Sequence, residues 1–184
     1  MNQFEMRTIV TGVDENGKAV FVSDEPTKAI EVGALPGTKV WATWGTPDGK
    51  LVTGRGASDF TFSPVFPTAG GTRFMITSWA PMATEAGPEP TEEQMAALFA
   101  EAEEKLPGLL PQMEPDSGGF HTTETIDYAV LLDGELVLML DDGEERTLTP
   151  GTCVVQRGTR HCWQNRTDKP AIIMYVLIGA ERPV

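Results

Sequence analysis

The chain has 184 residues, with 14 Lys and Arg against 27 Asp and Glu, a formal net charge of −13 and a pI near 4.5. That length suits a single domain burying roughly 70% of the surface its unfolded form exposes. The acid excess excludes the basic, phosphate-neutralising surface that nucleic acids require. An apolar fraction of 40% and a charged fraction of 22% exclude global disorder.

Two cysteines, Cys153 and Cys162, form no CxxC pair, so neither a disulfide scaffold nor a zinc finger is expected. The first residues lack a basic and then apolar leader. The longest apolar run, residues 171–178, falls far short of the ~20 residues of a membrane helix. The expectation is a cytoplasmic protein with no membrane and no nucleic-acid partner.

In chain order, residues 7–13 and 18–23 flank Asp14-Glu15-Asn16-Gly17 and predict a β-hairpin. Residues 40–44 and 72–79 predict two more strands. Between them, residues 45–71 are dense in Gly, Pro, Ser and Thr and predict a long loop with at most one short strand near Phe60 and Phe62. Thr91-Glu92-Glu93-Gln94 is a capping-box signature, and Met95, Leu98, Phe99, Ala102 and Leu106 follow at helical spacing, so a helix is expected over about 91–106. It ends at Pro107-Gly108, within a Pro-rich insertion over 81–119. Its apolar stripe can pack on the body of the protein or on a second subunit, or the helix can act as a lid.

Residues 126–132, 135–140, 146–149, 152–156, 161–164 and 171–178 then read as short strands separated by Asp133-Gly134, Asp141-Asp142-Gly143, Pro150-Gly151 and Arg157-Gly158. Turn signals about every 8–12 residues predict an all-β sandwich or barrel. Alternation along a strand places His121, Thr123, Thr125 and Asp127 on one face, and His161 with Trp163 on another. Tyr128 is then directed opposite to Asp127, into the core. Trp41, Trp44 and Trp79 are assigned to the core or to a dimer interface. No GxGxxG, GxxxxGK[ST], GxSxG or HExxH occurs, which leaves dinucleotide, nucleoside triphosphate and serine-hydrolase chemistry without support.

The stretch HTTETIDYAVLLDG (121–134) followed by GTCVVQRGTRHCWQN (151–165) resembles the two signature motifs of the cupin superfamily. His121, Asp127 and Gly134 fall on the histidine, glutamate and closing glycine of the first motif. Gly151, Gly158, His161 and Asn165 fall on the glycines, histidine and asparagine of the second. Thr123 replaces a second histidine, Asp127 a glutamate and Gln156 a proline. The resemblance implies an all-β fold: a six-stranded antiparallel cupin barrel, here one domain over 1–184 with extra N-terminal strands (1–80), the helical insertion (81–119) and the core motifs (120–180). It also implies a homodimer and a divalent metal (Fe, Zn or Mn) held by His121, Asp127 and His161, the two-imidazole, one-carboxylate set of non-haem iron.

The same three residues can instead act without an ion, because a buried His–Asp pair can serve as base and acid. Thr123, Thr125 and Trp163 are the expected substrate-pocket residues. The leading expectation is an enzyme acting on an oxygenated organic metabolite by lyase chemistry, a dehydratase or isomerase working next to a carbonyl. Fe(II)-dependent dioxygenase chemistry is the alternative, followed by a non-catalytic barrel that binds a small ligand.

Overall fold

The computed structural model describes residues 5–49, 51–54, 59–82 and 90–183. Two strands, β1 (Arg7–Val13) and β2 (Ala19–Pro26), form a separate antiparallel ribbon. Its turn closes because the Asp14 carboxylate accepts from Asn16 N and Lys18 N, at 2.8 and 2.9 Å. Next come β3 (Lys39–Thr46), β4 (Thr72–Trp79) and α1 (Glu92–Lys105). The motif region supplies six strands: β5 (Thr125–Asp133), β6 (Leu136–Met139), β7 (Glu145–Leu148), β8 (Cys153–Arg157), β9 (Cys162–Gln164) and β10 (Ala171–Gly179).

All pairings are antiparallel. One sheet runs β3-β4-β10-β5-β8 and a second runs β7-β6-β9. The two share one core, in which Leu131 of β5 and Ile173 of β10 meet Leu136 of β6 and Trp163 of β9. Each fully buried Leu or Ile contributes about 1.5–3 kcal/mol. β10 lies between β4 and β5. Its odd-numbered residues from Ala171 to Leu177 face inward, whereas Ile172, Met174, Val176 and Ile178 are half-buried on the outer face. Two covered or partly covered faces account for the unbroken apolar run seen in the sequence.

The expected helix is present, with both halves of its capping box. Thr91 Oγ1 accepts from Gln94 N, and Gln94 Oε1 accepts from Thr91 N. Its Ala102, with Leu106 just past its end, packs into a second core cluster with Val32, Val40 and Val65, so the stripe lies against the body of the protein. The Pro-rich approach to the helix falls largely at 83–89, outside the described residues. No strand forms at 60–62; Phe60 packs on Trp44 instead, with ring centroids 5.7 Å apart. That loop is pinned by Arg73, almost wholly buried, whose guanidinium donates to Pro64 O, Thr46 O and Thr72 O at 2.8 Å each.

Tyr128 departs from the sequence expectation. It is 51% exposed on the outer face of β5, because the core lies only on the Asp127 side of that sheet. Among the described residues, no helix is long and apolar enough to cross a membrane.

Candidate functional site

His121 precedes β5 and His161 precedes β9, and the two meet as an isolated antiparallel bridge. Each backbone N–H donates to the other's carbonyl at 3.0 Å, which holds the ring centroids 4.3 Å apart. Each ring is also fixed from behind. His121 Nδ1 lies 3.0 Å from Gly119 O, and His161 Nδ1 lies 2.9 Å from Thr159 O. A carbonyl oxygen can only accept, so each Nδ1 carries the proton and each Nε2 keeps a free lone pair.

Both histidines line a narrow cavity of about 80 Å³ between the two sheets, together with Asp127, Trp79, Trp163 and Tyr175. Leu106, Leu109 and Met113 form its other wall, which gives the segment from α1 onward a place at the site. His161 stands edge-on to Trp163 (5.9 Å), and Trp163 edge-on to Tyr175 (5.7 Å). A wider hollow of about 600 Å³ lies between the β1–β2 ribbon and β3–β4, but among the described residues no titratable side chain lines it. The titratable candidates therefore gather at the smaller cavity.

Burial dominates the electrostatics. It lowers His161 to about 4, helped by the charge on His121 and opposed by the Thr159 carbonyl. Burial also lowers His121, against the Gly119 carbonyl and the Glu114 charge. Asp127 moves the other way, to about 6, because burial outweighs a hydrogen bond from Thr125. Both imidazoles are thus neutral near pH 7, and the carboxyl titrates close to neutrality.

Of the residues expected at the site, His121, Asp127, His161 and Trp163 line the cavity. Thr123 and Thr125 do not. Their hydroxyls lie 2.8 Å apart, and both residues edge a separate hollow beside Arg157 and Arg182. The alternation that turned them inward is correct, but although they stand between His121 and Asp127 in the chain they line a different hollow.

The three expected metal ligands are not drawn into one centre. Among the described residues, no group of three or more His, Cys, Asp or Glu side chains could hold a metal ion. The histidine rings feel each other and Glu114, whereas Asp127 acts electrostatically on Tyr175. Asp127 Oδ1 is buried without a partner. As a donor set, these residues offer two imidazole nitrogens and a carboxylate set apart from them, which does not fit a three-ligand ion.

Around the site, Arg160 grips Glu114 through Nε and Nη2 and Asp141 through Nη1 at 2.9 Å, with its guanidinium 4.0 Å from the centre of the Phe120 ring. Asn165 binds Trp79 O and Lys169 O through Nδ2 while its Oδ1 accepts from Thr167, so it caps the turn before β10. Cys162 is buried and its thiol is held above its ordinary range by burial.

Residues 111–177 match the cupin domain family. These residues form a cupin domain. Over 67 residues the chain is 60% identical to a phomopsin biosynthesis cluster protein of Diaporthe leptostromiformis, covering 34% of this chain and 35% of that one. It is 39% identical over 67 residues to a cupin-domain-containing oxidoreductase of Neurospora crassa, covering 35% and 34%. The matched cupin region spans about a third of the length of each relative. An ethanolamine utilization protein of Salmonella typhimurium aligns over 97% of this chain and 100% of its own, at 12% identity and a TM-score of 0.42.

Sequence reasoning assigned no chemistry to Trp79 or Tyr175, both of which line the cavity. Tyr175 was legible in principle: it is the one residue with a hydroxyl in the apolar run of β10, at an inward-facing position.

Proposed function

We propose that the cupin cavity is the active site of a small-molecule enzyme that moves a proton next to a carbonyl, as in an isomerisation or a dehydration. The observation that carries this reading is the pair of neutral imidazoles. With each Nδ1–H tied to a backbone carbonyl, each Nε2 is available as a base inside an apolar enclosure. His161 or His121 takes the proton, and Asp127, protonated below about 6, returns it. Incubation with cyclopentanone in heavy water tests the reading by NMR. Deuterium should enter the α-carbons faster than in buffer alone, and His161→Ala or His121→Ala should abolish the gain. Exchange no faster than buffer would refute it.

A second reading, oxidation at the same cavity, is favoured by the oxidoreductase name of the Neurospora relative. Added Fe(II) and oxygen uptake discriminate, since proton transfer is indifferent to both. Ligand binding without any turnover would favour a binding barrel.

The assembly proposed is a homodimer. Among the described residues the β1–β2 ribbon pairs with no other strand and exposes Phe21 and Val22, while the outer sheet face exposes Tyr128 and Val155. Sedimentation equilibrium should give twice the chain mass, and a monomer would contradict the proposal.

A further inference from the structure

Tyr175 lies on β10 between the inward-facing Ile173 and Leu177, with its ring edge-on to Trp163. Trp79, on the neighbouring strand β4, donates its indole Nε1–H to Tyr175 Oη at 3.0 Å. An indole nitrogen can only donate, so this bond occupies a lone pair of the phenol oxygen and leaves the O–H uncommitted. Among the described residues no acceptor takes that proton. Burial, and also the charge on Asp127, hold the phenol well above its ordinary range despite the Trp79 bond, so it stays a donor. Two imidazole acceptors and one aimed hydroxyl donor therefore line the same small cavity.

We infer that Tyr175 binds the carbonyl oxygen of the substrate through its O–H, with Trp79 as the positioning residue that aims it. The inference rests on the proton-transfer reading above. In that step a C–H bond next to the carbonyl breaks and a histidine Nε2 takes the proton. The electron pair moves into the carbonyl, and the resulting enolate oxygen keeps the Tyr175 hydrogen bond. Asp127 then gives a proton to carbon, the histidine releases its own through water to restore both groups, and no oxidant or reductant is involved. Such a donor selects ketones and aldehydes over hydrocarbons of the same shape, because the apolar walls alone offer an oxygen nothing.

The test uses the full chain and cyclopentanone labelled at the carbonyl carbon, observed by its infrared carbonyl band. In the wild type the bound band should lie lower than that of the ketone in an apolar solvent. Tyr175→Phe should remove the displacement and slow α-deuterium exchange by roughly 100-fold, the scale for loss of one oxyanion donor. Trp79→Phe should broaden the band and return part of the displacement. Since Tyr175 is a core residue, a variant that leaves its shape nearly intact is also needed. The chain has two tyrosines, and Tyr128 faces outward, so incorporating 3-fluorotyrosine strengthens the donor and should displace the band further. A band insensitive to both changes, or no binding of cyclopentanone, would overturn the inference. A displaced band with no exchange would instead sink the proton-transfer reading and leave the Tyr175 assignment standing.

Discussion

Asp127 and Gln156 stand directly opposite each other on β5 and β8, yet Asp127 Oδ1 and Gln156 Nε2 are both buried without a hydrogen-bond partner. Unpaired buried polar atoms destabilise a fold by about 1–3 kcal/mol each. Here burial, outweighing the hydrogen bond from Thr125, leaves Asp127 titrating at about 6 with its Oδ1 unpaired. A functional site tolerates such a local cost where a packed core would not.

Replacing Asp127 should therefore stabilise the protein. Its folded value, about 6, lies above the ordinary 3.8. The folded state thus binds more protons between these values, and stability is lost as pH rises through 6. Asp127→Asn cannot ionise and should gain on the order of 2–3 kcal/mol at pH 7, a gain that vanishes below about pH 4. Urea unfolding of both proteins at the two pH values measures this. An equal or lower stability of the variant at pH 7 would contradict it.

Catalysis should have its own window. His161 loses its lone pair only below about 4, and Asp127 loses its proton above about 6. Deuterium exchange should therefore peak between these limits in a bell-shaped profile. Asp127→Asn, whose amide has no acidic proton to give, should depress exchange across the whole window. A profile flat from pH 5 to 8 would rule out this division of roles.

Much of the fold was legible because the strands obey local rules. Asp14–Gly17 and Asp133-Gly134 mark turns whose glycines adopt positive φ (80° and 77°), and the period of two set the faces of β5 and β10. The pairing of His121 with His161 was legible only through the motif resemblance, since 40 positions separate them in the chain. What local pattern could not supply was distance along the barrel. Thr123, Thr125 and Asp127 share the inward face with His121, but only Asp127 joins the histidines at the cavity, and it does not come close enough to share an ion with them. Tyr128 was misplaced because alternation says which side a residue takes, and only tertiary packing says which side is filled.

Gly134 illustrates how a single turn fixes this geometry. A Cβ there would sit 2.8 Å from Ala171 Cα and 2.9 Å from Pro170 O, at a backbone φ of 77°. Gly134→Ala combines that clash with left-handed strain of about 1–2 kcal/mol. It should lower the denaturant midpoint, and an unchanged midpoint would show that β5 and β10 are free to shift.

The ion pair between Arg160 and Glu114 ties the segment ahead of His121 to the loop ahead of His161. Both side chains are about one-third exposed, so the tie should weaken with salt. Glu114→Gln should speed amide exchange at Phe120, which donates to Ser117 Oγ within that segment. The difference should shrink at high ionic strength. Identical exchange at low salt would assign the segment's order to packing alone.

The most direct test of the account is the state of its two histidines. The chain contains no others, so nitrogen-15 NMR of the labelled protein resolves both rings without ambiguity. His161 should be neutral from pH 5.5 to 8 and His121 neutral from pH 7 to 8, each with the proton on Nδ1 and a bare Nε2. An imidazolium at pH 7.5, or a proton on either Nε2, would remove the base on which the proposed chemistry depends.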